Sequence, residues 1–268
     1  MALMLTACLL LGCDQKWSGA DWTLTPDGRH LLILPDAAGD SQLIVPPACW
    51  KRACPLVIVS HGRGGKASDG SSHKPFNAML SALDVQGYAL LLSSDGGGDT
   101  WGSPAALNTL RRAYRAALPR FQHDGRVYTL GISMGGLPAT LIAYRRTLGL
   151  SVGAVAVVGG WVNLRNAVRT SRSRTRAVAA AYGQASTRGH DPVNDFGGFV
   201  GKRTPLLVVS SPQDRMVAGE KNGLLLAALA RKAGAQTEII AVTGPHLNGQ
   251  YVNADIGRQI GAFFGAHR

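Results

Sequence analysis

The sequence predicts an α/β fold, with a mostly parallel central sheet and helices on both faces. Apolar runs of strand-forming residues recur along the chain, as at 55–60, and such runs are typical of parallel strands buried on both faces. Segments with helical spacing separate the runs, and this alternation indicates a parallel sheet. With 268 residues, of which 46% are hydrophobic, the chain suits one core and therefore one domain, expected at 21–268.

Residues 1–20 are predicted to be a signal segment and linker that lie outside this domain. The stretch 2–12 is apolar, too short to span a membrane as a helix, and is followed by Cys13. The ending Leu10-Leu11-Gly12-Cys13 resembles the lipobox of bacterial lipoprotein signal peptides, in which the chain is cut before a cysteine that becomes lipidated. The resemblance implies an exported protein, either secreted or attached to a membrane of the cell envelope through Cys13. A plain secretory signal and a cytoplasmic protein with an apolar start are the alternatives.

The first elements of the domain are predicted to form an antiparallel lead-in to the sheet. Short strands are expected at 21–25 and 30–34, on either side of the turn Pro26-Asp27-Gly28. An edge strand at 42–45 ends at Pro46-Pro47, because proline cannot donate to a strand ladder.

The other two cysteines, Cys49 and Cys54, stand just ahead of the apolar run at 55–60. In an exported protein they are suited to form a disulfide that fixes the chain locally as it enters the strand. Two free, half-buried thiols are the alternative. Because no second pair of Cys or His stands at ligand spacing, we expect no metal site. We expect no cofactor either.

Strands and helices then alternate to the C-terminus. Ser103 is suited to cap a helix that begins at Pro104, because its hydroxyl can accept from the helix and proline fits the first helical position. We expect strands at 55–60, 88–93, 126–132, 151–158, 205–211 and 237–242, and helices at 76–85, 104–118, 137–146, 220–233 and 254–264.

The alternation breaks at 161–201, which we interpret as a small helical cap inserted over the strand ends. A weakly amphipathic helix is predicted at 163–182, and the segment carries six arginines with no acidic residue before Asp191. These arginines fit a solvated helix face. They also fit contact with an anionic substrate, membrane or polymer surface.

Basic residues outnumber acidic residues by 28 to 16, and the pI is near 10.1. Such a charge is compatible with a nucleic-acid partner, but the sequence contains no RNP-like, zinc-finger or helix-turn-helix signature. Basicity alone is weak evidence, so we expect no nucleic acid to bind. The sequence gives no indication of the oligomeric state.

The stretch 127–146 contains the motif that carries the chemistry. A strand leads into Gly131-Ile132-Ser133-Met134-Gly135, and a helical pattern follows. A serine held at a strained backbone angle in such a turn needs nearly side-chain-free neighbours two residues before and after it. Its hydroxyl is then exposed at a helix N-terminus, where the Met134 N–H can face an oxyanion. In a chain with 34 glycines the motif can arise by chance, but the strand before it and the helix after it argue against chance.

A serine hydroxyl needs a base, and the base needs an orienting group. In open α/β sheets the active groups lie in loops that leave the carboxyl ends of strands. Asp214 follows the predicted strand that ends at 211, and His246 follows the one that ends at 242. The less favoured candidates lie in the cap, inside a helix or at the C-terminus: Asp191, Asp195, Glu220, His190 and His267.

The order Ser133, Asp214, His246 resembles the α/β-hydrolase superfamily, and the resemblance runs from about Gln42 to the C-terminus. It implies an α/β-hydrolase fold, with Ser133 as nucleophile, Asp214 as orienting acid and His246 as general base. The stretch 61–65, His-Gly-Arg-Gly-Gly, resembles the family's oxyanion loop. The oxyanion hole is therefore expected from the N–H groups of Met134 and Arg63.

The resemblance further implies a serine hydrolase that cleaves a carboxylic ester through an acyl-enzyme, similar to secreted esterases of the feruloyl-esterase or polyester-depolymerase type. The partner would be a small-molecule or polymeric ester. A non-catalytic binding or surface protein on the same fold and a serine peptidase or amidase are the alternatives. His61 is expected to be structural. Asp95, Asp99 and Trp101 either line the site or belong to a solvated surface loop.

Overall fold

The computed structural model of the protein describes residues 21–267, so the predicted signal segment and Cys13 lie outside the described residues. Within this part of the chain, nine strands form one sheet in the order β1-β2-β3-β5-β4-β6-β7-β8-β9. The strands are β1 Trp22–Leu24, β2 His30–Leu34, β3 Ser41–Val45, β4 Cys54–Ser60, β5 Ala89–Ser93, β6 His123–Ile132, β7 Val155–Val158, β8 Leu206–Ser210 and β9 Thr237–Ala241.

The strands β1, β2 and β3 form an antiparallel meander, and β3 pairs with β5 in the antiparallel sense. All pairings from β5 through β4 to β9 are parallel. The predicted antiparallel lead-in and mostly parallel sheet are therefore confirmed. In the centre, Ser60 of β4 stands beside Gly131 of β6, so the loops after these two strands leave the sheet side by side.

Helices cover both faces of the sheet because the central strands are apolar on both sides. Along β4, Leu56 and Ile58 belong to one buried cluster, and Val57 and Val59 belong to the other. Helices α4, α5 and α8 contribute to the first cluster, and α3 and α9 to the second. The helices are α1 Pro47–Lys51, α2 Asp69–Ser72, α3 Lys74–Val85, α4 Pro104–Ala117, α5 Gly136–Arg145, α6 Leu164–Arg169, α7 Arg172–Tyr182, α8 Gly223–Lys232 and α9 Ala254–Ala266.

None of the helices within residues 21–267 combines the length and apolar character that a membrane crossing requires.

The single helix predicted at 163–182 is wrong, because the structure has two helices there. Helix α6 ends at Arg169, and α7 starts at Arg172. The Ser171 side chain accepts a hydrogen bond from the Arg174 N–H, so Ser171 caps a new helix instead of continuing the old one. Both helices pack through a buried cluster onto Met134 and the start of α5, at the carboxyl ends of the strands.

The sequence analysis also missed helix α1, between β3 and β4. Pro47 does end the strand ladder, but it occupies the first turn of α1, where a missing N–H costs nothing. Cys49 of α1 and Cys54 of β4 form the predicted disulfide, with their Cα atoms 5.4 Å apart. Both cysteines are buried, so the bond fixes α1 at the start of the central strand.

Candidate active site

Ser133 occupies a strained turn between β6 and α5. Its φ is +50°, a left-handed conformation that costs free energy for a residue with a side chain. The flanking glycines have no room for a Cβ atom. One added at Gly131 would lie 2.4 Å from the carbonyl oxygen of Gly135, and one added at Gly135 would lie 2.2 Å from that of Ser60. The turn therefore needs both glycines, which is the steric reason for the motif.

Other strained residues surround Ser133. Of the five non-glycine residues with positive φ within 21–267, four stand at the carboxyl ends of the strands: Asp95, Trp101, Ser133 and Leu247. Such conformations persist only where the surrounding structure enforces them, and they cluster at functional sites. Within the described part of the chain, the non-glycine residues with positive φ are thus concentrated at one end of the sheet.

The three side chains predicted for catalysis lie in one hydrogen-bonded chain. Ser133 Oγ lies 2.9 Å from His246 Nε2, and His246 Nδ1 lies 2.7 Å from Asp214 Oδ2. Because an ionised carboxylate only accepts, Nδ1 carries the proton and Nε2 is left to accept from the serine hydroxyl. The rival candidates lie elsewhere. Asp191, for example, accepts from the Arg165 N–H, and His190 contacts Arg145.

Asp214 is held in its ionised form although its side chain is fully buried. Its Oδ1 accepts from the backbone N–H groups of Met216 and Val217, at 3.0 and 2.8 Å. Its Oδ2 accepts from His246 and from the Tyr251 hydroxyl, the latter at 3.0 Å. Burial opposes the charge, but these donors outweigh it and hold the pKa of Asp214 below its ordinary value of 3.8. The carboxylate therefore remains charged under His246.

Tyr251 is a site residue that the sequence analysis missed. It is completely buried in the loop before α9, where its hydroxyl donates to Asp214 and accepts from the Ser211 N–H at 2.8 Å. Burial and the neighbouring carboxylate raise the pKa of Tyr251, so it stays a neutral donor. No local sequence pattern marks it, because its role depends on how two loops meet.

Replacing Tyr251 by phenylalanine is expected to destabilise the protein by about 1–3 kcal/mol, because the Ser211 N–H then loses its buried acceptor. The change also removes one of the donors that lower the pKa of Asp214. A carboxylate whose pKa is lowered by folding stabilises the protein at pH values above its pKa in the unfolded chain, near 3.8. That contribution is lost as the pH falls through the lower pKa of the folded state. The wild type and Tyr251→Phe differ in free energy of unfolding, and the share of this difference that comes from Asp214 should therefore shrink below about pH 4.

Urea unfolding of both proteins at pH 7 and at pH 3.5 measures this difference. Tyr182→Phe is a matched control, because its hydroxyl donates to the Trp101 carbonyl and makes no hydrogen bond to a carboxylate among residues 21–267. A difference for Tyr251→Phe that is equal at the two pH values would contradict the coupling to Asp214.

The loop 61–65, predicted to supply an oxyanion donor, passes directly beside Ser133. A Cβ added at Gly62 would lie 3.5 Å from the Ser133 Cβ. Within residues 21–267 the Arg63 N–H donates to no protein group. Met134 begins the turn into α5, where N–H groups have no partner inside the helix. The loop backbone at Gly62 thus lies against Ser133, and the roles of the Arg63 and Met134 N–H groups as oxyanion donors stay predictions.

His61 and Asp95 lie behind this loop. The His61 ring nitrogens contact the carbonyl oxygens of Gly62 and Ser94, at 2.8 and 2.9 Å, so His61 ties its own loop to the end of β5. Asp95 is fully buried and accepts from the Ser60 hydroxyl, and burial raises its pKa. Asp95 therefore supports the loop instead of lining the cavity, whereas Asp99 and Trp101 do line it.

Ser133 opens into a cavity of about 640 Å³. The Trp161 N–H donates to the Ser133 carbonyl at 2.8 Å, and the ring of Trp161 lies 6.2 Å from that of Trp101. The cavity is lined by Ser133, Trp101, Trp161, Arg63, Asp99, Arg174 and Met216, together with Gly64 and Gly98. Trp161 follows the carboxyl end of β7, whereas Arg174 reaches the site through the packing of α6 and α7, and neither residue was predicted to line the site.

A second, mostly apolar cavity of about 290 Å³ lies on the other side of the oxyanion loop. It borders Ile132 and Leu247, the chain neighbours of Ser133 and His246. Its remaining apolar walls are Val59, Ala67, Phe76, Leu80 and Leu92. Within residues 21–267, no group of three or more His, Cys, Asp or Glu side chains is placed to hold a metal ion.

The Arg63 side chain fastens α7 over the site. It forms a bidentate pair with Asp99, with Nη2 2.8 Å from Oδ2, and donates to Ser173 Oγ at 3.2 Å. Tyr182 at the other end of α7 donates to the Trp101 carbonyl at 3.1 Å. Contacts at both ends of α7 therefore join this helix to the loops around Ser133.

Comparison with protein-family models and with curated protein sequences found no match. Solved structures are similar throughout the fold. An S-formylglutathione hydrolase from Agrobacterium tumefaciens superposes with a TM-score of 0.66 at 15% identity, covering 92% of this chain and 98% of the other. A truncated carbohydrate esterase from gut microbiota gives 0.65 at 16% identity, covering 87% and 92%. An acylaminoacyl peptidase from Pyrococcus horikoshii gives 0.63 at 14% identity, covering 88% and 41%.

These similarities show that the chain has an α/β-hydrolase fold, and the fold expected from the sequence is confirmed. At identities of 14–16% they show the fold alone. Any chemistry must therefore be argued from the side chains around Ser133.

Proposed function

We propose that the protein is a serine hydrolase that cleaves a carboxylic ester. The observation that carries this proposal is the unbroken hydrogen-bonded chain from Ser133 Oγ through His246 to the buried, ionised Asp214. The cavity at the hydroxyl supports the proposal because it has room for a substrate, and the N–H groups of Arg63 and Met134 are the proposed oxyanion donors. The esterases among the similar structures support the choice of an ester.

In the first step, His246 Nε2 takes the proton from the Ser133 hydroxyl as the oxygen attacks the ester carbonyl. Asp214 keeps the ring in the required tautomer and stabilises the imidazolium that forms. The N–H groups of Met134 and Arg63 donate to the oxyanion, and each such donor typically lowers the barrier by about 3 kcal/mol. His246 then protonates the departing alcohol, which leaves an acyl group on Ser133.

In the second step, water replaces the alcohol. His246 removes a proton from the water as it attacks the acyl carbonyl, and the same two N–H groups hold the second oxyanion. The proton then passes to Ser133 Oγ, which releases the carboxylic acid and restores the starting state. An amide could be attacked by the same groups, as the similarity to a peptidase illustrates, so the leaving group has to be tested.

Two assays on the wild-type protein test the proposal together. We expect a fluorophosphonate to label Ser133, and we expect hydrolysis of p-nitrophenyl esters with a preference for short or medium acyl chains, because the apolar cavity is only about 290 Å³. The corresponding p-nitroanilides should react much more slowly. A folded protein that is neither labelled nor active on any of these compounds would instead be a non-catalytic member of the fold, and faster cleavage of the anilides would make it an amidase.

A further inference from the structure

The cavity at Ser133 carries more positive than negative charge. Two guanidinium groups line it, those of Arg63 and Arg174, but the only carboxylate among its lining residues is that of Asp99. Asp99 is already engaged by Arg63 and by the Trp101 indole N–H. Arg174 is therefore left without a counter-charge at the mouth of the candidate active site.

Arg174 is fixed in place by neutral partners. Its Nε donates to the Ala167 carbonyl at 3.1 Å, and its Nη2 donates to Thr170 Oγ1 at 2.8 Å. Its Cζ lies 4.8 Å from the ring centre of Trp161, and the Trp161 N–H donates a hydrogen bond to the Ser133 carbonyl. Within residues 21–267 it makes no ion pair, and its Nη1 donates no hydrogen bond. Donors of a positioned cation thus remain available beside the nucleophile.

The position of Arg174 distinguishes it from the other arginines of the cap. Of the six in 161–201, it alone is among the residues that line the Ser133 cavity. Arg165, Arg169 and Arg188 line a different cavity, which also contains Asp191 and Asp195. Arg172 and Arg176 are exposed on the same helix as Arg174. The basic character of the cap is therefore mostly a solvated surface, with one member directed to the site.

We infer that Arg174 binds an anionic group of the substrate, so that the preferred substrates of the proposed hydrolase are esters carrying a carboxylate or similar anion near the scissile bond. This inference rests on the proposed function. A partly buried guanidinium held by neutral groups gains most from a bidentate acceptor such as a carboxylate. Partial burial and the charge of Arg63 lower the pKa of Arg174, as expected for a cation without its counter-ion.

Matched pairs of anionic and neutral esters test the inference on the full-length protein. Mono-4-nitrophenyl succinate against 4-nitrophenyl pentanoate places the charge on the acyl side. 4-Acetoxybenzoate against its methyl ester places the charge on the alcohol side. In at least one pair we expect the anionic ester to have a kcat/KM higher by about 10-fold or more, mainly through KM. This advantage should fall as sodium chloride is raised, while hydrolysis of the neutral ester changes little.

Variants distinguish the effect of Arg174 on substrate preference from the effect of the general positive charge of the protein. Arg174→Gln should lower the ratio of anionic to neutral kcat/KM by about 10- to 100-fold, and Arg174→Lys should retain part of it. Arg172→Gln removes the same charge from the same helix outside the cavity, so it should leave the ratio unchanged.

Three results would overturn the inference. They are the absence of an anionic preference in both pairs, an equal loss on both members of a pair in Arg174→Gln, and an equal fall in the ratio in Arg172→Gln. An equal loss on both members would mean that Arg174 only holds α6 and α7 together. Hydrolysis of the neutral esters in any of these cases leaves the proposed function intact. The proposed function itself fails only if no ester is cleaved and Ser133 is not labelled.

Discussion

Ser133→Ala is expected to lower kcat for ester hydrolysis by about four to six orders of magnitude, because loss of the nucleophile in a serine triad removes most of the catalysis. It should also abolish labelling by a fluorophosphonate. The serine side chain is small, and its hydroxyl bonds only to His246 within residues 21–267. The variant should therefore fold normally, and the loss should appear in kcat.

Circular dichroism and single-substrate kinetics on the wild type, Ser133→Ala and Ser151→Ala check this expectation. Ser151 is an exposed serine at the amino end of β7, on the side of the sheet away from the candidate site, so its variant should behave as the wild type. Labelling or hydrolysis that persists in folded Ser133→Ala would place the nucleophile elsewhere.

Gly135→Ala is expected to destabilise the protein by about 3 kcal/mol or more, at the upper end of what overpacking usually costs. The new Cβ would lie 2.2 Å from the Ser60 carbonyl oxygen and 2.8 Å from that of His61. Both are backbone atoms at the end of β4, so no side-chain rotation can relieve the contact. The turn and the neighbouring oxyanion loop must then move apart, and activity should fall with stability.

Gly197→Ala is the matched control, because a Cβ there meets no atom within 4 Å and the residue is exposed. Its free energy of unfolding should stay within about 0.5 kcal/mol of the wild-type value. Urea unfolding of the three proteins gives the comparison. If Gly135→Ala were as stable as Gly197→Ala, the turn could accommodate a Cβ atom at residue 135, which would contradict the close contacts described here.

The sheet could be predicted from the sequence because its central strands are buried on both faces. Burial makes a run such as 55–60 continuously apolar, and that signal does not depend on distant residues. Ser133, Asp214 and His246 could be placed near each other for a related reason: in a parallel sheet, residues that follow different strands meet at one edge. Strand ends alone were thus enough to bring together residues more than a hundred positions apart.

The parts that escaped prediction depend on packing between loops. Ser171 reads equally well as a helix residue or as a cap, and only the packing of α6 against α7 decides. Arg174 lines the Ser133 cavity because α7 packs over it with a contact to Arg63, which no local pattern reveals. Tyr251 reaches Asp214 from another loop in the same way. Long-range contacts of single side chains leave no periodic trace in a sequence.

Arg63 connects the loop that passes beside Ser133 to helix α7 of the cap. Its backbone N–H is the proposed oxyanion donor, while its side chain binds Asp99 and also Ser173, which belongs to α7. A displacement of α7 that breaks the contact with Ser173 therefore also removes one restraint on the residue proposed as an oxyanion donor. Linkage of this kind is reciprocal, so in the proposed hydrolase we expect an oxygen bound by the Arg63 N–H to favour the docked position of α7. In the proposed hydrolase, the position of α7 and the binding of the oxyanion are therefore expected to influence each other through Arg63.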